Sequence, residues 1–364
     1  MNNDKQYIEE REEQQSMPSP REVMECKRVF NRKHVPSCDT EKEWEKFCRK
    51  QQNFPKVIRS KNKLNLIIGF AVGVAATIAL FLAIPQTFIK PEATEQIQVF
   101  NAICNANDVV LTSEAGETYI ISGQTADSVL LAKGINANKD SLVYNRSAKI
   151  IKPQWITLTT PRGKDYQVTL PDGSKVWLNA DSKLIFPEQF TDNKRIVTLY
   201  GEAYFNIAED EKYPFEVKNI FFTTSVLGTE FNVKAYTATD AYVVLINGKV
   251  ALQSKVHPEM QFITPGQKAL LNEKGEFAIS RVDPYSYIQW KEGYFYFNNV
   301  PLIEIMQELG RWYNVDIIIE NSKQINTRLH FVADRDQDLM DALSNLNILK
   351  VVHASIKDGK IIIK

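Results

Sequence analysis

The residues able to do chemistry are few and scattered. His257, His330 and His353 stand far apart in the chain, without the spacing of metal ligands. No Gly-x-Ser-x-Gly elbow, phosphate loop or dinucleotide fingerprint is present. One arrangement invites zinc: His34-Val35-Pro36-Ser37-Cys38, with Cys26 and Cys48 as further thiols. Cys26 and Cys48 also fall on the apolar stripes of short candidate helices, where a thiol packs as a small hydrophobe. The expectation is a protein without metal or cofactor, and not an enzyme. A hydrolase would need an acid–base pair that the sequence does not supply.

The elements that position these residues follow from length and charge. A chain of 364 residues holds two or three domains, each with its own core. Its 44 basic and 44 acidic residues balance, which disfavours direct binding to nucleic acid. Cys26, Cys38 and Cys48 precede the longest apolar segment and only Cys104 follows it. A lone cysteine there closes no intrachain disulfide, so that region must stand on its hydrophobic core.

The apolar segment is Leu64 to Ile84, 21 residues without a charge. As a helix it would measure about 31 Å, the thickness of a bilayer's hydrocarbon core. Lys46, Arg49, Lys50, Lys56, Arg59, Lys61 and Lys63 precede it, whereas beyond it Lys90 is offset by Glu92 and Glu95. The positive-inside rule then places residues 1–63 in the cytoplasm and the chain from about 86 onward outside. In a Gram-negative cell this is a single-pass inner-membrane protein with a periplasmic C-terminal region.

Two helices are predicted in the cytoplasmic head. Ser19-Pro20-Arg21-Glu22 and Thr40-Glu41-Lys42-Glu43 each carry N-terminal capping signals. Val23, Cys26 and Phe30 make one apolar stripe, and Trp44, Phe47 and Cys48 the other. Helices this short are marginal alone. The head is expected to order when its stripes dock on a partner.

From about 100 to 285 the sequence reads as short strands between turn signals such as Asp172-Gly173, Asn247-Gly248, Pro265-Gly266 and Lys274-Gly275. Val243–Ile246 and Lys249–Leu252 are predicted to form a hairpin across Asn247-Gly248. Leu111-Thr112, Gly116, Tyr119, Val129 and Leu131 are echoed by Leu158-Thr159, Gly163, Tyr166, Val176 and Leu178, which suggests stacked β layers. Residues 290–364 read differently. A strand at Tyr294–Phe297 and a turn at Asn298-Asn299 precede a helix opened by Pro301, with Leu302, Ile305, Met306, Leu309 and Trp312 on one face. The predicted order is β-α-β-β-α-β-β, a small α+β domain ending in a hairpin across Asp358-Gly359.

Five blocks then occur in order: Thr160-Pro161-Arg162-Gly163, Leu170 to Asn179, Gly201-Glu202-Ala203-Tyr204-Phe205, Val226 to Val233, and Pro265-Gly266-Gln267. Together they closely resemble the periplasmic part of FecR-type sigma-factor regulators, over roughly residues 100 to 364. The C-terminal order is similar to the STN-type signalling domain. The fold expected is therefore a mainly β FecR-like domain at 100–285 and an STN-like domain at 290–364. The resemblance implies a relay in which a TonB-dependent outer-membrane transporter signals through this protein to an extracytoplasmic-function sigma factor. The head departs from zinc-binding anti-sigma factors, whose second cysteine follows His-x3-Cys by three residues; Glu41 stands there.

Several residues acquire expected roles. Trp44 and Phe47, or else Val23 and Phe30, would contact the sigma factor. Arg311 and Tyr313, with Ile361 and Ile363 on a terminal edge strand, would contact the transporter's signalling domain; the same isoleucines could instead complete the core sheet. In some FecR-like regulators the bond matching Gly228-Thr229 resembles a self-cleavage site, with the threonine hydroxyl as nucleophile. The favoured reading is a glycine required by a bulge, since no general base lies nearby in sequence. A second function class stays open: a membrane-anchored periplasmic module binding glycan or envelope components through exposed aromatic residues.

Overall fold

The computed structural model describes residues 96–103, 108–121, 135–138, 140–144, 153–191 and 193–364. The head, with Val23, Phe30, Trp44 and Phe47, and the apolar span at 64–84 lie outside the described residues, as do His34 and the four cysteines. Among the described residues no helix is long and apolar enough to cross a membrane.

The strands run β1 (Ile97–Phe100), β2 (Val109–Ser113), β3 (Thr118–Ile121), β4 (Ile135–Ala137), β5 (Ser141–Tyr144) and β6 (Trp155–Thr160). Next come β7 (Tyr166–Thr169), β8 (Lys175–Leu178), β9 (Ser182–Pro187), β10 (Arg195–Asn206), β11 (Phe215–Lys218) and β12 (Phe222–Val226). The β body closes with β13 (Glu230–Ala235), β14 (Tyr242–Asn247), β15 (Val250–Ser254), β16 (Met260–Ile263), β17 (Gln267–Leu271) and β18 (Phe277–Arg281). Two short turns of 3-10 helix, Pro284–Tyr287 and Gln289–Glu292, lead onward.

The ladders build two walls around one core. Wall one has the order β3-β2-β6-β9-β10-β11-β12-β15-β16. Wall two has the order β4-β5-β7-β8-β10-β13-β14-β17-β18. β10 belongs to both: its first half pairs with β9 and β11, its second with β8 and β13. The change of wall falls at Gly201 (φ 98°), where a Cβ would lie 2.8 Å from the Ser182 Cα. Only glycine accepts both that backbone angle and that approach. Between the walls Phe186, Phe205, Phe215, Phe222 and Phe231 are fully buried, each worth about 1.5–3 kcal/mol of transfer free energy.

This architecture separates the turn signals into two kinds. Asp172-Gly173 and Lys274-Gly275 do join paired strands. Asn247-Gly248 does not. β14 pairs with β13 and β17, while β15 pairs with β12 and β16, so the chain changes walls at Gly248. The expected hairpin is thus corrected to a corner, because a positive φ suits either geometry and pairing is decided by the walls. The internal echo is half structural: Leu111 lies opposite Leu158 in wall one, but β3 stays in wall one whereas β7 enters wall two.

The C-terminal domain follows the order β19 (Tyr294–Pro301), α1 (Leu302–Tyr313), β20 (Ile317–Ile319), β21 (Arg328–Asp334), α2 (Leu339–Ile348), β22 (Ala354–Lys357) and β23 (Lys360–Ile363). β19 pairs with β21, and the expected turn at Asn298-Asn299 is a bulge within this ladder. The other sheet has the order β1-β20-β23-β22. The terminal strand β23 is therefore interior, flanked by β20 and β22, and the expected edge position is corrected. Ile361 and Ile363 are fully buried because both neighbouring strands and the helices close over them. The edges are β22 and, from the far end of the sequence, β1.

Candidate functional site: the polar seam on wall two

Wall two is covered on its outer face. Gly201 to Phe205 on β10 and Phe231 to Ala235 on β13 are buried without alternation. Because successive side chains point to opposite faces, one set enters the core and the other meets the C-terminal domain. Ala203, Phe205, Phe231 and Val233 belong to the core. Glu202, Asn232 and Lys234 form the seam, with Glu202 directly opposite Lys234 in the ladder.

Helix α1 supplies the facing groups. Leu302, Ile305, Met306 and Leu309 bury one face in the C-terminal core. Glu308 and Arg311 lie off that stripe and are buried as well. Glu308 Oε1 accepts a hydrogen bond from Lys234 Nζ at 2.7 Å and another from Arg311 Nη1 at 2.9 Å. Asp240 Oδ2 stands 3.7 Å from Lys234 Nζ, and the Arg311 guanidinium lies 3.6 Å from the Tyr236 ring centroid. Glu202 accepts from Asn232 Nδ2 at one oxygen and from Asn179 Nδ2 at the other, both at 2.9 Å.

Arg335 completes the seam from β21's end. It donates to Asn179 Oδ1 (2.7 Å) and to the Trp290 carbonyl (3.0 Å), and stacks 3.7 Å from the Trp312 ring. Asp165 lies 3.6 Å from its Nη1. Burial pushes the Glu202 carboxyl above the ordinary range, reinforced by Glu308 and opposed by Lys234. Burial also works against ionised Glu308, but Lys234 and Arg311 outweigh it and hold that carboxyl at about 2. Burial disfavours the Lys234 charge, yet Glu308, Glu202 and Asp240 raise its pKa above the usual lysine value.

Beside the seam lies a cleft of about 650 Å³, bounded by Tyr242, Lys268, Tyr287, Trp290, Glu304 and Arg328 among others. Lys268 Nζ sits 4.2 Å from the Tyr242 ring centroid and 5.0 Å from that of Tyr287. Burial lowers its pKa.

The residues singled out from sequence fall as follows. Arg311 is inside the seam and is not an outward-facing contact. Tyr313 is half-buried and its hydroxyl donates to the Gln337 carbonyl at 2.9 Å. Thr229 is buried and its hydroxyl donates to the Lys249 carbonyl at 3.1 Å. A Cβ on Gly228 would lie 2.7 Å from the Glu209 Cα, so close approach of the chain requires this glycine, while the bulge falls next to it, between Glu230 and Phe231. His257, His330 and His353 occupy a loop, β21 and the α2–β22 connection, and no three His, Cys, Asp or Glu among the described residues are grouped to hold a metal. Sequence reasoning missed Glu202, Asn179, Asn232, Lys234, Glu308 and Arg335. Three of them stand in the quoted blocks, and their seam-facing phase reads there as an ordinary solvent face.

Comparison with known proteins matches residues 156–251 to the family FecR protein, and residues 294–363 to the family FecR, C-terminal. Two crystal structures of a protein from Parabacteroides distasonis ATCC 8503, described provisionally as an anti-sigma factor, are similar to this chain. Each has 28% identity and a TM-score of 0.53, covering 57% of this chain and 98% of that one. No curated protein matches significantly. The two family matches fall in order on the β body and the C-terminal domain, and with the structural likeness they support a FecR-type regulator.

Proposed function

We propose that this FecR-type chain is a transmembrane regulator of an extracytoplasmic-function sigma factor, relaying a signal from a TonB-dependent outer-membrane transporter to transcription. The observation that carries this reading is the coincidence of two family matches with two domains joined by one buried polar seam, in a chain similar to a protein provisionally described as an anti-sigma factor, over 98% of that crystallised chain. Residues 1–63 hold the sigma factor through Trp44 and Phe47. The span at 64–84 crosses the inner membrane. The C-terminal domain, read as STN-like from its element order, receives the transporter's signalling domain, and no reaction is catalysed. Its exposed apolar residues Ile348, Val351 and Ile356, the last on the edge strand β22, support a receiving surface there.

Co-purification of residues 1–63 with sigma factors encoded in the same genome tests the reading. One sigma factor should be retained, and Trp44→Ala should weaken it about tenfold or more, the equivalent of one buried aromatic. Failure of every candidate to bind would remove the proposal.

A further inference from the structure

The strand β1 is the first described element of the chain, yet it pairs with the C-terminal domain and not with β2. It lies antiparallel on β20, with Ile97 opposite Ile319 and Gln98 opposite Ile318. The ladder is short, and its register slips between Gln98 and Phe100. None of its four residues is buried. β20 beneath it is fixed on the other side by β23, and Ile317 and Ile319 are fully buried.

What holds this segment resembles a peptide-recognition site more than a packed core. Its main chain is gripped without regard to sequence. The Ala102 N–H donates to Asp316 Oδ1 at 2.6 Å. The Asn314 side chain accepts from the Ile103 N–H at 3.2 Å and donates to the Ile103 carbonyl at 2.9 Å. Arg162, from the β body, donates to the Asn101 carbonyl at 2.7 Å. Val99 and Phe100 both pack against the C-terminal core, and Phe100 is the anchor. The Phe100 ring lies against Gly310 of α1, where a Cβ would be 2.6 Å from the ring, and the Arg162 guanidinium lies 4.5 Å from its centroid. Arg311 approaches the same ring at 5.9 Å. Backbone pairing with one anchoring pocket is the usual division of labour in strand-addition sites.

We propose that the β20 edge is a strand-acceptor site which β1 fills in cis, and that an extended segment of a partner protein takes it by exchange. The segment it fits carries an aromatic residue at the Phe100 position, seated on Gly310 under the Arg162 guanidinium. Exchange frees residues 97–103 from the C-terminal domain. That the supplier is the signalling partner rests on the relay reading above; the acceptor site itself does not.

The test uses the purified full chain with its four cysteines replaced by serine, and a fluorescent peptide of the sequence of residues 96–103. Phe100→Ala in the protein loosens β1 and should tighten peptide binding about tenfold, the equivalent of one aromatic anchor lost from the competing strand. Adding Gly310→Val should abolish that gain by filling the pocket. Gln98→Cys with Ile318→Cys, opposite each other in the ladder, should block the peptide when oxidised and admit it when reduced. Equal binding by oxidised and reduced protein, or no gain with Phe100→Ala, would overturn the proposal. Sigma-factor retention is read on the same preparations. Lost exchange with retention intact removes this inference alone, and lost retention with exchange intact removes the relay alone.

Discussion

Replacing Glu308 by alanine takes the shared anion from two buried cations. Lys234 and Arg311 each keep 7% side-chain exposure in the seam, so neither can turn to water without opening it. Removing one member of a buried ion pair costs about 3–5 kcal/mol. Lys234 retains Asp240 at 3.7 Å and Arg311 retains the Tyr236 ring, which places the loss near the lower end, about 3 kcal/mol. In a unit of this size each kcal/mol moves the melting temperature by about 2–4 °C, giving a fall of about 6–12 °C. Because the loss is concentrated where the two domains meet, calorimetry should also show the single transition separating into two. Adding Lys234→Met to Glu308→Met should recover at least about 1 kcal/mol, since one stranded charge is removed with its partner. A Glu308→Ala protein within about 0.5 kcal/mol of the parent would refute the view that these ion pairs join the domains.

Four further outcomes are expected. Glu308 is held at about 2, below the ordinary 4.5, so its contribution is complete above 4.5 and should be lost as pH falls from there towards 2, read as the urea midpoint against pH. Glu202 has the opposite sign: burial holds its carboxyl above the ordinary 4.5, so stability should fall as pH rises above 4.5. Glu202→Gln should remove this slope, the Asn232 amide turning so that its unpartnered Oδ1 accepts from the new side chain. Gly163→Ala should cost more than Gly173→Ala: both have positive φ, about 1–2 kcal/mol of strain, but only at Gly163 does a Cβ meet another domain, 2.9 Å from the Trp312 carbonyl oxygen. Reporter fusions should show a cytoplasmic enzyme active at residue 55 and an exported one active at residue 120; the reverse pattern would overturn the topology.

Local patterns were legible where one physical cause acts alone. The α1 stripe of Leu302, Ile305, Met306 and Leu309 marks a helix and its buried face directly. Asp358-Gly359 marks a true hairpin. Asn247-Gly248 carries the same signal but turns a corner, because partner strands are chosen by distant segments and leave no mark on the turn itself. The seam was hidden for a related reason. Glu202, Asn232 and Lys234 alternate with apolar neighbours as solvent-facing residues do, and Glu308 and Arg311 lie off the stripe of α1. Only the docking of one such surface on the other converts two polar faces into a buried network. Ile361 and Ile363 show the converse: their hydrophobicity was plain, but whether the terminal strand lay inside the sheet or at its edge depended on β20 and β22.

The pairing of β1 with β20 also fixes an order of events. Most ladders of the β body join strands close in sequence, so much of the two walls can form while the chain is still emerging, with small loop-closure costs. The clasp of Ala102 on Asp316 spans 214 residues and needs the chain beyond α1. A chain interrupted before Ile319 has nowhere to seat β1. The closing of β1 therefore waits on β20, and a product truncated before that strand leaves residues 97–103 unclasped.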